Sequence, residues 1–181
     1  DAEEVVRKLE EELKRLIDKL RKVMEESLKR VKESMDRSRK RIEELVRRLE
    51  KILRDLKRDR EEIEEVIREL REIIERLKDK IKKDLDTSRR IADENRKDIE
   101  DVVRDLERIA EELRRIAARD GREDVLRKLK ETVERVRRKV EEVIKKSRES
   151  VKRVEETNTR SLRELEETVR EVEKRVREES R

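Results

Sequence analysis

The side chains that most often perform chemistry in proteins are largely missing from this sequence. It contains no His and no Cys, which excludes Ser-His-Asp triads, thiol nucleophiles and metal sites built on nitrogen or sulfur. The di-metal motif of helical bundles needs Glu-x-x-His and is excluded for the same reason. Carboxylates are plentiful, and Asp84 and Asp93 come nearest to an apolar stripe where burial would suit acid–base work. Because neither lies on the stripe itself, we predict no catalytic residue and no enzymatic activity.

Ligand-binding motifs are also missing. The single Gly, Gly121, lies between Asp120 and Asp124, a spacing far too short for a calcium loop. One Gly cannot make a Gly-rich phosphate loop. We therefore predict no metal site, no cofactor and no small-molecule substrate.

The remaining candidates are uncharged polar residues near the middle of three apolar segments. Five of them fall on the apolar stripe: Ser38, Ser88, Asn95, Ser147 and Asn158. Six more flank it and are further candidate members: Ser27, Ser34, Thr87, Ser150, Thr157 and Ser161. A buried Asn without a partner costs about 1–3 kcal/mol, whereas a satisfied one fixes helix register and pairing. We interpret the set as a buried structural network; the alternative for the flanking six is that they face water.

The elements that position these residues are helices. Aliphatic residues recur every three or four positions along nearly the whole chain, which is the period of an amphipathic helix. In the middle of the first third, the predicted stripe runs through Leu20, Met24, Leu28, Val31, Met35 and Ser38. Although 60% of the residues are charged, Glu, Lys, Arg and Leu favour helix, and disordered chains lack such a stripe. No stretch alternates with period two for long, so no strand is predicted. Steps of four added to a heptad pattern flatten its supercoil, which predicts a nearly straight bundle.

Two interruptions divide the stripe into near-equal thirds. The first is at Asp59, which with Glu62 has the form of a helix-start capping box, and the second contains Gly121, suited to end a helix. The predicted helices cover about 2–57, 60–118 and 122–179. Because short turns make neighbours antiparallel, we predict an all-α fold, a long, nearly straight up-down-up three-helix bundle that forms one domain over 1–181. The first turn has neither Gly nor Pro, so the alternative is one helix of about 118 residues followed by a shorter one.

Folding the chain at these two turns brings polar residues from all three helices to matching heights. Asn95 comes level with Ser147 and near Ser27, while Asn158 comes near Ser34 and Ser38. Dozens of aliphatic side chains supply the stability of such a bundle. The polar residues are therefore predicted to choose among alternative packings more than to set total stability.

The charged residues are of both signs: 57 are Lys or Arg, and 52 are Asp or Glu. Interleaved signs are typical of a solvated face with i,i+4 ion pairs. The basic clusters at 37–41 and 137–139 have no aromatic residue to stack a base, so no specific nucleic-acid binding is predicted. No apolar run approaches the roughly 18 residues of a membrane span. No partner is required, but the thin stripe of the third helix leaves self-association or binding of partner helices as the alternative.

Two stretches have a recognisable style. Residues 86–103 (DTSRRIADENRKDIEDVV) and 145–167 (KKSRESVKRVEETNTRSLRELEE) resemble helices of computationally designed bundles with buried hydrogen-bond networks. The resemblance covers the whole chain, with its Glu/Lys/Arg surfaces, Leu/Ile/Val stripes and minimal loops, and it carries no functional motif. It implies a structural scaffold without reaction, cofactor or substrate. The alternative is an interaction module: a component of a larger designed oligomer, or a spectrin-like or coiled-coil spacer that binds a partner helix.

Overall fold

A computed structural model describes residues 2–59, 64–119 and 122–179, and these residues form three α-helices. They are α1 (Ala2–Asp59), α2 (Glu64–Arg119) and α3 (Glu123–Glu179). No strand occurs in these ranges, and aliphatic side chains from all three helices pack together. The fold is therefore the predicted all-α three-helix bundle. Since α1 and α2 are separate helices, the alternative of one continuous helix is wrong.

The end of α1 differs from the prediction. The helix runs through Asp59, two residues beyond its predicted end, so Asp59 is the last residue of α1. The good helix formers Lys57 and Arg58 carry the helix on to this point. Glu62, the other half of the predicted capping box, and Gly121 of the second predicted turn lie outside the described residues.

The start of α3 is well defined. The backbone oxygen of Arg122 accepts a hydrogen bond from the Leu126 amide at 3.2 Å, which is the bond that opens a helix after its N-cap residue. Glu123 and Asp124 follow in the first turn, where negative charge is favourable to the helix dipole.

The chain divides into two compact units, and each contains part of all three helices. Unit 1 consists of Asp1–Arg30 with Ile91–Val151, and unit 2 of Val31–Arg90 with Lys152–Arg181. Each has its own cluster of buried aliphatic side chains. The predicted single domain over 1–181 remains a prediction.

Ion pairs show that α2 runs antiparallel to its neighbours. In unit 1, α1 places Glu10 beside Arg114 and Arg21 beside Glu107, so the α2 partner moves backwards as α1 advances. In unit 2, α2 places Glu69 beside Arg175 and Lys80 beside Glu164, so the α3 partner moves backwards in the same way.

The α1 and α3 helices run parallel. In unit 2, Arg41 pairs with Glu166 and Arg48 with Glu173, so a step of seven along α1 matches a step of seven along α3. The described helices therefore have the predicted up-down-up order.

The buried stripe of α1 matches the predicted one near both ends of the helix but differs from it in the middle. The prediction placed Met24, Leu28 and Met35 on the stripe, but all three are only half-buried. Between Leu13 and Ile42, the buried positions are Leu13, Ile17, Leu20, Val23, Ser27, Val31, Ser34, Ser38 and Ile42. A helix that touches two neighbours buries a wide face, so large residues at the edges can be mistaken for its centre.

Candidate helix-pairing site

Six polar side chains are buried among the described residues, and every one was singled out from the sequence. They are Ser27, Ser34, Ser38, Ser88, Ser147 and Asn158. Serines 38, 88 and 147 and Asn158 were placed on the stripe, whereas Ser27 and Ser34 were placed beside it. All sit on helix faces that otherwise carry Leu, Ile and Val, so each displaces an aliphatic contact.

In unit 1, the hydroxyls of Ser27 on α1 and Ser147 on α3 are 3.0 Å apart. Either oxygen can donate, because a hydroxyl both donates and accepts. Ser147 is only 2% exposed, so a water molecule could replace this bond only by entering the core. On α1, Val23 precedes Ser27 by one turn and is also buried.

In unit 2, the Nδ2 atom of Asn158 on α3 donates to the hydroxyl oxygen of Ser34 on α1 at 2.9 Å. Each of the two residues is only 5% exposed. Removing the Ser34 hydroxyl would leave the Asn158 amide without this bond in a buried place, whereas a serine that loses its partner can turn its hydroxyl to a carbonyl of its own helix.

Both bonds between buried polar side chains in the described ranges join the same two helices, α1 and α3. These helices are not consecutive in sequence. At most four residues connect α1 to α2, and three connect α2 to α3, so the chain itself enforces those two pairings. The contact between α1 and α3 is the one that side chains alone must specify.

Asn95 on α2 was predicted to lie level with Ser147, but it takes part in neither of these two hydrogen bonds. Its Nδ2 atom is buried and has no acceptor among the described residues. Asn95 and Ser147 line one cavity of about 320 Å³, together with Ile99, Val102 and Val143. Asn95 and Ser147, which the sequence placed level with each other, therefore border the same cavity.

Ser88 is the other polar residue that α2 buries. Between 78 and 98, all of which the structure describes, it is the one residue that is buried. Within the three described helices, neither Ser88 nor Ser38 forms a hydrogen bond to another buried polar side chain. The buried polar bonds therefore do not include α2.

Four of the six flanking candidates lie outside the buried set. Thr87 is exposed, and its hydroxyl donates at 2.8 Å to the Lys83 carbonyl of its own helix, an alternative that Thr side chains often take. Thr157 is exposed as well, while Ser150 and Ser161 are half-buried. The two threonines therefore face water, which was the alternative for the flanking residues.

Charged side chains at the edges of the helices form ion pairs, and two of these pairs shift the pKa of one of their members. A hydrogen bond to Glu166 at 2.9 Å, and a second to Glu44, raise the pKa of Arg41 above its ordinary value. A hydrogen bond from Lys80 at 2.7 Å lowers the pKa of Glu164 below its ordinary value. Because that folded-state pKa is depressed, the pair stabilises the fold at neutral pH, and this contribution is lost as pH falls through the lowered value.

The two carboxylates that came nearest to the apolar stripe in the sequence differ in burial. Asp84 is half-buried and Asp93 is exposed. The described residues contain no group of three acidic side chains that could hold a metal ion. No described helix is both long enough and apolar enough to cross a membrane.

Comparison with known proteins gives no relative. No family model matches the chain, and neither a curated protein nor a solved structure matches it.

Proposed function

We propose that this protein is a structural helical bundle, of the designed kind its sequence resembles, in which buried polar residues specify how α1 and α3 pair. The observation that carries the proposal is the Asn158–Ser34 hydrogen bond, supported by the Ser27–Ser147 bond. Both bonds join α1 and α3, the two helices that no short connection holds together. The proposal includes no reaction, cofactor or substrate.

The physical basis is the cost of a wrong pairing. An up-down-up bundle can place α3 on either side of the α1–α2 hairpin, and each choice presents a different face of α1 to α3. Only one choice lets Ser34 meet Asn158. Any other leaves a buried amide unbonded at a cost of about 1–3 kcal/mol, while the nonspecific aliphatic contacts change little.

An interaction module is the second candidate, and one feature favours it. A groove of about 440 Å³ in unit 2 is floored by Ile42, Val46 and Ile81, with charged side chains from α1 and α2 along its edges. A partner helix would bind there. Against it, the described residues include no exposed large hydrophobic side chain, which an avid docking surface normally has.

The double substitution Asn95→Leu with Asn158→Leu tests the first proposal. Both changes replace an amide by a hydrocarbon, and the buried Nδ2 atom of Asn95 loses no hydrogen bond to the described residues. We expect an equal or higher melting temperature together with mixed oligomers in light scattering, because pairing is no longer specified. A single species of unchanged mass would contradict the proposal.

Light scattering of the unmodified protein separates the two candidates. The scaffold stays a monomer from low to high micromolar concentration, whereas a module that binds its own kind gains mass over this range. The double substitution Asn95→Leu with Asn158→Leu needs a control for added volume. Val154→Leu serves as this control, because Val154 is a buried stripe residue of α3 in the same unit as Asn158. It should leave one species.

A further inference from the structure

The groove between α1 and α2 in unit 2 has an apolar floor. Ile42 on α1 is only 7% exposed and belongs to the buried cluster of this unit. Val46 on α1 and Ile81 on α2 pack against that cluster and remain half-buried. The volume of the groove, about 440 Å³, lies in the range of small-molecule sites, which measure roughly 300–1,000 Å³.

Charged side chains form both edges of this groove. The residues that line it are Arg39, Glu43 and Arg47 on α1 and Glu75, Lys78, Asp79 and Lys82 on α2, all of them exposed. Between 39 and 47, α1 has four basic and two acidic residues, and α2 has the same numbers between 75 and 82. These two short segments therefore have an excess of four positive charges, whereas the whole chain has a net charge of only +5. Such a groove attracts an anion.

The positive charge is concentrated at one end of the groove. Because α1 and α2 are antiparallel, Arg39 and Lys82 lie at the same end, and Arg47 and Glu75 lie at the other. The charges of Arg47 and Glu75 offset each other. An anionic group is therefore favoured at the end that has Arg39 and Lys82.

The two cations at this end are weakly engaged by the protein itself. Lys82 forms no ion pair with a described residue. The Arg39 guanidinium is 3.8 Å from the Asp36 carboxylate, and both side chains are about half exposed. An exposed pair of this length contributes little, so Arg39 can turn toward a bound anion at small cost.

The floor suits a single alkyl chain better than a partner helix. A helix with its side chains is about 10–12 Å wide and packs on exposed aliphatic residues, and the described residues include no large one. An alkyl chain needs only the three floor residues. The α1 edge from Arg39 to Arg47 is about 12 Å long, which is enough for a chain of medium length.

We propose that this groove binds a single-chain amphipathic carboxylate. Its carboxylate lies between Arg39 and Lys82, which donate charge-assisted hydrogen bonds. Its alkyl chain covers Ile42, Val46 and Ile81 and is removed from water with them. The site lies between α1 and α2 and does not depend on the α1–α3 hydrogen bonds, so it goes beyond the scaffold proposal.

Decanoate is the probe, and two molecules with the same alkyl chain are its comparisons. Decanol is uncharged, and decyltrimethylammonium is a cation. Binding is followed by titration of backbone amide NMR resonances at low salt, below the concentrations at which these molecules form micelles. We expect decanoate to bind with a Kd on the order of 0.1–1 mM and to shift resonances in 39–47 and 75–82. The cation should bind roughly tenfold more weakly, and high salt should weaken binding of decanoate but not of decanol.

Two double charge reversals separate a carboxylate site from a general positive field. R39E/K82E reverses the two cations of the site, and K40E/K83E reverses their exposed sequence neighbours, which do not line the groove. Both change the net charge equally. R39E/K82E should weaken decanoate about tenfold and leave decanol within about twofold, because only the carboxylate loses its donors. K40E/K83E should weaken decanoate about twofold at most.

Val46→Phe tests the floor of the groove. The larger side chain fills part of the space, so decanoate and decanol should both bind more weakly. If this variant fails to fold, the charge reversals carry the test, because they alter only exposed residues.

Four results would overturn the proposal: no binding of decanoate at millimolar concentration, equal binding of decyltrimethylammonium, equal weakening by the two charge reversals, or shifted resonances that lie outside the groove. Any of them leaves the scaffold proposal untouched, because none of these variants alters Ser34 or Asn158. Mixed oligomers in the Asn95→Leu, Asn158→Leu protein report on that separate proposal.

Discussion

Leu20→Ala and Leu49→Ala should each lower the free energy of unfolding by about 2–5 kcal/mol. Both leucines lie on α1 and are fully buried, one in the core of unit 1 and the other in the core of unit 2. Each substitution removes apolar contacts and leaves a cavity that close-packed neighbours fill only in part. Urea denaturation gives the loss directly, and the melting temperature should fall on the order of 10 °C.

Hydrogen exchange shows where in the chain each of the two leucine substitutions acts. Leu20→Ala should reduce amide protection most in unit 1, and Leu49→Ala most in unit 2, because each unit has its own buried cluster. The exposed controls Lys19→Ala and Lys51→Ala should stay within about 0.5 kcal/mol of the unmodified protein. Leucine variants that are as stable as these controls would show that the two cores are not packed as described.

Ser34→Ala should cost about 1–3 kcal/mol even though it removes a single oxygen atom. That oxygen accepts the hydrogen bond from Asn158, and the amide would remain buried without it. Combining Ser34→Ala with Asn158→Leu should cost less than Ser34→Ala alone, since no polar group is then stranded. The difference, measured by chemical denaturation as a double-mutant cycle, gives the coupling of the pair.

Ser161→Ala is the matched control, since Ser161 is a half-buried serine in the same unit and outside the buried set. Its effect should be within about 0.5 kcal/mol. Equal costs for Ser34→Ala and Ser161→Ala, or strictly additive effects of Ser34→Ala and Asn158→Leu, would contradict a bond that matters to the fold.

The elements of the fold follow from the sequence because they depend on local properties. Helix periodicity, helix-forming residues and the two interruptions are each visible within a few turns of chain, and the structure confirms three helices. The level of Asn158 against Ser34 also followed, because residues are counted from the turns and a helix rises by a fixed amount per residue.

Rotation of a helix about its own axis was harder to read. On α1, Met24, Leu28 and Met35 looked like the buried centre because they are large and apolar, yet Ser27 and Ser34 occupy it. Which side of a wide apolar face is central depends on where both neighbouring helices lie. A single segment of sequence does not contain that information.

Long-range charge pairing was missed for a similar reason. The sequence suggested ion pairs within helices, and several occur, such as Arg47 with Glu43 and Arg104 with Asp101. Pairs between α1 and α3, such as Arg41 with Glu166, can be assigned only when the offset between the two helices is known. For Asn95, the sequence placed the residue level with Ser147, and both line one cavity of about 320 Å³. The sequence did not indicate the cavity itself.

The most direct test of whether buried polar groups specify pairing is a backbone amide NMR spectrum of the Asn95→Leu, Asn158→Leu protein beside that of the unmodified chain. The unmodified chain should give one sharp resonance per amide, as a bundle with one α1–α3 arrangement must. The substituted protein should give broadened or duplicated resonances on α1 and α3 while remaining at least as resistant to heat. One sharp, complete set of resonances from the substituted protein would contradict the claim.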